Sequence, residues 1–181
     1  MKKKALIKDI YKKGVFSQAV AFVYTIEFQK RGLPHMHLLI FLEQGLKMLT
    51  PEDINTAIST CWLDPESEPK LFNTVKKCMV HGPCGAVNPT AQCMENGKCT
   101  KHYPKAFTDH NMMDEDGYPQ YCCSDNGRAY QIGPHSVNNR WIVPHNPFLS
   151  SKYECHINVE STISFASVKY VFKYIYKVCH I

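Results

Sequence analysis

The 181-residue chain has no long hydrophobic run. Its longest, Leu38-Leu39-Ile40-Phe41-Leu42, falls far short of the roughly 18 apolar residues that cross a bilayer. The charged start Met1-Lys2-Lys3-Lys4 is followed by no apolar stretch, because Lys8, Asp9, Lys12 and Lys13 interrupt it. A secretory leader is therefore not expected, and the chain should be soluble and intracellular. There is no G-x-x-x-x-G-K-[ST] phosphate loop and no room for a motor domain, which excludes ATP hydrolysis by that route. Internal repeats and low-complexity tracts are lacking too. What remains, 44% hydrophobic and 20% charged residues, rules out a disordered tail, a coiled coil or a collagen-like chain. The length suits one compact domain with an insertion.

The net charge of +5 suits a polyanionic partner. Nine cysteines, an odd number in a chain without a leader, read as metal ligands or buried thiols and not as a disulfide framework.

Leu6, Ile7, Ile10 and Tyr11 recur at helical spacing and Gly14 is a natural stop, so a helix is expected over residues 5–13. Val20 to Phe28, rich in β-branched and aromatic residues, predicts a strand, and His35 to Leu42 a second, antiparallel to the first. Thr50-Pro51-Glu52-Asp53 opens a helix expected to run to about Leu63. Asp125-Asn126-Gly127 predicts a hairpin between residues 118–123 and 128–132. Short strands are expected at Trp141-Ile142-Val143 and from Cys155 to Glu160, and a closing helix over residues 165–178.

Three groups of residues carry chemistry. In Pro34-His35-Met36-His37-Leu38 the two histidines share one face of their strand. Two imidazoles aimed at one spot suit a divalent transition metal. The partner strand offers Glu27 and Gln29 as third ligands, and spacing does not choose between them. On the closing helix, Tyr170, Lys173, Tyr174 and Lys177 fall on one stripe, beside an apolar stripe of Val168, Val171, Phe172 and Ile175. A phenol with an ordinary pKa near 10 becomes a nucleophile only when cations stabilise its phenolate. Ammonium groups and a metal do that, and they also neutralise a phosphodiester under attack.

The third group lies in residues 78–120, where cysteine, glycine, proline and asparagine crowd in and hydrophobic periodicity disappears. Such a stretch needs a staple. His81, Cys84, Cys93 and Cys99 form a candidate tetrahedral zinc site, with Cys78 and His102 as substitutes. Four protein ligands leave no open position, so the zinc would be structural. Lys98, Lys101, His102 and Lys105 interleave with Tyr103 and Phe107 as a platform for single-stranded nucleic acid would, and Arg128, Arg140 and Trp141 are further candidates. Lys177 is a candidate to hold a phosphate. His156, Asn158 and Glu160 share one face of their expected strand and are candidates to line a site or contact DNA.

Four segments together resemble the Helitron helicase-like domain, the Rep-type HUH endonuclease of rolling-circle transposases. They are residues 27–37, the run Asn138-Asn139-Arg140-Trp141-Ile142-Val143-Pro144, His156-Ile157-Asn158-Val159-Glu160, and residues 169–177. Residues 93–105 are similar to the same family. The resemblance implies an α+β, ferredoxin-like fold in which a central antiparallel sheet with flanking helices carries the histidines. The whole of 1–181 would be one endonuclease domain, with 78–120 as its zinc-stapled insertion. It implies a metal-dependent single-stranded DNA endonuclease and strand transferase that leaves a 5′-phosphotyrosine and a free 3′-hydroxyl. Tyr170 and Tyr174 would be the alternating nucleophiles and Lys173 would assist them. His35 and His37, with Glu27 or Gln29, would hold Mn²⁺ or Mg²⁺. Mg²⁺ prefers oxygen ligands whereas Mn²⁺ tolerates imidazole, so Mn²⁺ should work at least as well.

The partners so implied are single-stranded DNA and the helicase domain of a parent transposase, which these residues lack. The chain is thus expected to be a natural fragment, a degenerate copy or an excised domain, and nuclear if its source is a eukaryotic transposon. The competing reading is a catalytically decayed, zinc-stapled module that binds single-stranded nucleic acid without cutting it.

Overall fold

The computed structural model describes residues 2–28, 34–43, 51–113 and 119–161. The chain divides into two compact units, one from residues 1–50, 113–119 and 161–181, the other from 51–112 and 120–160. Both combine helices with small antiparallel sheets. The described strands pair two by two, so the expected central sheet flanked by helices is not among them. Among the described residues no helix is long and apolar enough to cross a membrane.

In the first unit, helix α1 (Lys2–Lys13) precedes a hairpin of β1 (Ala19–Phe28) and β2 (Pro34–Leu42), all three as the residue patterns predict. Gly14 ends α1 with φ at +61°, where a side chain would be strained, and its carbonyl accepts from the Ser17 amide at 2.9 Å. Alternation then decides the faces. Phe22, Tyr24 and Ile26 share a face with Met36, Leu38 and Ile40 through the ladder register. Helix α1 lies on that face, with Tyr11 edge-on to Phe22 at 5.7 Å and the Lys3 ammonium 4.6 Å from the Tyr24 ring. Lys3, one of the basic residues of the start, is thereby held against an aromatic ring.

The second unit is built round Trp62, Leu71, Phe72, Val75, Met79, Val137, Ile142 and Val143. Helix α2 (Pro51–Ala57) is shorter than its opening signal suggests. Past Ile58 the chain turns extended, because the Ser59 amide and carbonyl exchange bonds of 2.8 and 3.0 Å with His145. Helix α3 (Pro69–Cys78) was not anticipated, although Pro69 at its first turn and the buried Leu71, Phe72 and Val75 give it a start and an apolar stripe. Helix α4 (Pro147–Tyr153) is likewise unforeseen, and Asn146 caps it by accepting from the Leu149 amide at 2.9 Å.

Two expected pairings are corrected. The hairpin joins Ala129–Ile132 to His135–Asn138, not residues 118–123 to 128–132. The Asp125 and Asn126 side chains accept from the amides of Gly127 and Arg128, so this Asn-Gly folds on itself. Gly133, with φ at +56°, instead supplies the positive φ that a two-residue hairpin loop wants first. Cys123 pairs with Thr108. The expected strand 155–160 forms no ladder. Val159 donates to the Pro144 carbonyl at 2.9 Å, but a proline has no amide to return. His156, Asn158 and Glu160 nevertheless stay on the exposed side of an alternating segment. Trp141-Ile142-Val143 is only partly extended: Asn139–Trp141 is a 3₁₀ turn capped by Asn138, after which Ile142 bridges to Val80.

His145 is fully buried. Its Nδ1–H donates to the Val143 carbonyl at 3.0 Å and its Nε2 has no partner among the described residues. Burial, only partly offset by that bond, lowers its pKa below the usual 6.5. The unfolded chain therefore binds a proton that the folded chain refuses. Stability should fall as pH drops below about 6.5. Urea midpoints at pH 7.5 and 5.5 should differ less in His145→Phe than in the native chain; an unchanged difference would place the pH dependence elsewhere.

Candidate functional site

The β1–β2 register sets Glu27 opposite His35 and Thr25 opposite His37, so all four share the face away from α1. The two imidazoles stand edge to face with centroids 4.7 Å apart, and His37 Nε2 lies 3.4 Å from Glu27 Oε2. His37 is largely covered whereas Glu27 is half exposed. Imidazole and carboxylate form a donor set that Mn²⁺ accepts, but these three side chains do not close on a common point as the ligands of the second unit do. Gln29, the other candidate ligand, lies outside the described residues, as do Tyr170, Lys173, Tyr174 and Lys177.

Among the described residues one group of three or more candidate ligands meets closely: His81, Cys84, Cys93 and Cys99, whose ligand atoms all lie within 4.8 Å of one another. His81 Nε2 is 3.7 Å from Cys84 Sγ and 3.6 Å from Cys99 Sγ. A tetrahedral ion with Zn–S near 2.3 Å and Zn–N near 2.0 Å requires an N···S separation of about 3.5 Å. The residues present fit zinc. Neither Cys78 nor His102 joins the group; the Cys78 carbonyl accepts from His156 at 2.8 Å instead.

Local sequence explains the convergence. The strands β3 (Met94–Glu95) and β4 (Lys98–Cys99) pair through Asn96-Gly97, with φ of +50° and +76°. Two positive φ values are what a tight hairpin turn of this kind demands. That turn, unremarked in the reading of the sequence, draws Cys93 and Cys99 together, and Thr100 donates to the Cys93 carbonyl at 2.7 Å. Gly85, with φ at +74°, turns the chain directly after Cys84. The loop is clamped at both ends, since His81 donates to the Trp141 carbonyl at 2.8 Å and Lys105 to the Arg140 carbonyl at 2.9 Å.

Electrostatics separate the ligands. Burial, and then the charges of Lys105 and Lys101, lower the His81 pKa, which keeps the ring neutral and able to ligate. Burial and the neighbouring Cys99 and Cys93 push Cys84 up to about 12. Burial acts upward on Cys99 as well, but the amides of Tyr103 and Lys101 outweigh it and lower its pKa. Cys122 and Cys123 are raised, Cys123 to about 11, chiefly by burial and then by Cys61, as befits structural thiols.

The basic residues fall differently from their even spacing in the sequence. Lys105 Nζ lies 5.0 Å from the centre of the Tyr103 ring and the Arg140 guanidinium 5.3 Å from that of Phe107. Arg140 Nε donates to the Lys105 carbonyl. Tyr103, Lys105, Phe107 and Arg140 thus meet as cations among aromatics. Arg128 is not with them in any contact; it pairs with Asp64 at 3.7 Å. Within the Asn138–Pro144 run, Asn139 is wholly structural: it is buried, its Oδ1 accepts from the Trp62 amide at 2.7 Å and its Nδ2 donates to the Ser124 carbonyl at 2.8 Å.

Residues 1–40 match the family described as Helitron helicase-like domain at N-terminus, the family that the motifs resemble. The matched stretch holds α1, β1 and the start of β2 with both histidines. No curated protein matches the chain.

Proposed function

We propose that this chain is one metal-dependent single-stranded DNA endonuclease and strand-transferase domain of a Helitron-type rolling-circle transposase, working beside the helicase domain of its parent protein. The observation that carries this reading is the hairpin face: His35, His37 and Glu27 stand together on it, and both histidines lie inside the matched residues 1–40.

The chemistry follows from the residues. His35 and His37, with Glu27 or Gln29 as third ligand, would hold a divalent ion, which would supply positive charge to the scissile phosphate. Tyr170 or Tyr174 loses its phenolic proton and its oxygen bonds to phosphorus. The bond from phosphorus to the 3′-oxygen breaks, and that oxygen takes up a proton. The products are a 5′-phosphotyrosine and a 3′-hydroxyl, and the second tyrosine repeats the step for strand transfer. Lys173 stabilises the phenolate or the leaving oxygen. Lys177, Lys101, Lys105 and Arg140 hold phosphates, with Arg128 once released from Asp64. The exposed Phe107 ring with Arg140 beside it, and the nearby Lys101 and Lys105, suit a single strand, whose bases are free to stack. In a eukaryotic host the place of action is the nucleus.

The test mixes the protein with labelled single-stranded oligonucleotides of varied sequence, with Mn²⁺, Mg²⁺ or EDTA, and resolves the products on a denaturing gel. A metal-dependent covalent adduct should persist in Tyr170→Phe or in Tyr174→Phe and vanish in the double variant, with Mn²⁺ at least as effective as Mg²⁺. Binding without adduct under every condition would instead favour the decayed module. Its supporting observation is that the zinc ligands converge while the hairpin trio does not.

A further inference from the structure

Tyr103 touches three of the four ligands of the thiol–imidazole cluster by three different groups. Its ring stacks on His81 with centroids 4.1 Å apart and planes 10° from parallel. Its carbonyl faces Cys84 Sγ at 3.9 Å. Its amide lies against the Cys99 sulfur. The Lys105 ammonium lies over the ring, 5.0 Å from its centre, and Trp141 stands nearly parallel, 6.5 Å from both rings. A phenol used only as core filling needs none of this alignment. An imidazole left free to rotate would sweep its Nε2 away from the sulfurs.

We propose that Tyr103 is the positioning residue of the zinc site, holding the His81 ring in the plane that keeps Nε2 on the metal. The inference rests on the reading that the cluster binds zinc. The stacking face does this work, not the hydroxyl, for stacking acts on the whole ring plane. Outer-shell partners that hydrogen-bond to metal ligands are typically worth 10- to 100-fold in metal affinity, and the lower end of that range is expected for the stacked ring.

The experiment titrates zinc into the reduced full chain against a chromophoric chelator, for the native protein, Tyr103→Phe, Tyr103→Trp and Tyr103→Leu. The same proteins loaded with Co²⁺ report the ligand field through their visible bands. Tyr103→Phe should hold zinc within about twofold of native and Tyr103→Leu at least about tenfold more weakly, with altered Co²⁺ bands in the leucine variant only. Tyr103→Trp, which keeps a flat face, should lie close to native. A second measurement needs no variant. In the zinc-loaded native chain the His81 ring protons should resonate upfield of an unstacked metal-bound histidine, shifted by the Tyr103 ring. Native affinity and bands in Tyr103→Leu, equal weakening by Tyr103→Phe, or unshifted His81 protons would each overturn the inference. Should Tyr103→Leu not fold, the phenylalanine and tryptophan variants and the proton shifts still decide. If the native chain takes up no zinc, it is the metal reading that fails.

Discussion

Replacing Cys84 with serine should abolish stoichiometric zinc binding and unfold the loop from His81 to Lys105, the largest stability loss expected from one substitution in this chain. Apparent binding free energies of structural zinc sites are about 10–16 kcal/mol in small peptides, and this segment has little else to hold it. Cys84 is its one deeply buried apolar anchor, at 3% exposure, while most of residues 85–102 are partly or fully exposed. The damage should not stay local. The loop leaves from Met79 and Val80, which pair with Val143 and Ile142, and it returns by way of Lys105 on Arg140. Loss of the metal therefore loosens the segment that completes the core round Trp62. Zinc content by atomic emission and the urea midpoint should fall together in Cys84→Ser. A chelator acting on the native chain should reproduce the change and added zinc reverse it. Cys78→Ser should keep its zinc, since Cys78 stands outside the cluster. Full zinc content in Cys84→Ser would reassign the ligand set.

Removal of both imidazoles, His35→Ala with His37→Ala, should lower the rate of adduct formation by on the order of a thousandfold, the equivalent of about 4 kcal/mol of charge stabilisation at the phosphate. Folding should survive. The histidines occupy the face of the hairpin away from α1, and the packing of Tyr11, Phe22 and Tyr24 with the helix does not involve them. Thr25→Ala, on the same face opposite His37, is the matched control and should cost far less. A single-turnover assay with excess protein separates a slower step from weaker binding. Adduct formation at the native rate in the double alanine variant would remove the histidines from the chemistry.

Glu27→Gln tests the third position more finely. Glu27 Oε2 lies 3.4 Å from His37 Nε2, so losing its charge should raise the Mn²⁺ concentration needed for half-maximal cleavage. No change would point to Gln29 in its place.

How much was legible in the chain depended on how far apart the interacting residues stood. Local patterns sufficed for α1, for both strands of the first hairpin and for the face that carries His35 and His37, because period and chirality act between neighbours. The converging set His81, Cys84, Cys93 and Cys99 was legible as well, since few residue types bind zinc and a segment without a core advertises its need of a staple. Even-handed local signals misled where distant partners competed. Thr50-Pro51-Glu52-Asp53 starts a helix, but His145, 86 residues beyond Ser59 in sequence terms, ends it through paired backbone bonds. Asp125-Asn126-Gly127 carries a turn signature, yet its side chains consume the amides that a hairpin would use.

What the residues determined by themselves is therefore the inventory: an alternating hairpin with two imidazoles on one face, and a soft-ligand set waiting for a tetrahedral ion. What only the tertiary structure decided is which groups meet. Tyr103 came to lie against His81, Cys84 and Cys99, Asn139 came to satisfy the Trp62 amide, and Arg140 joined Lys105 across 35 positions of sequence. Each of those encounters is bought by burial of the core between them, a collective property that no window of neighbouring residues contains.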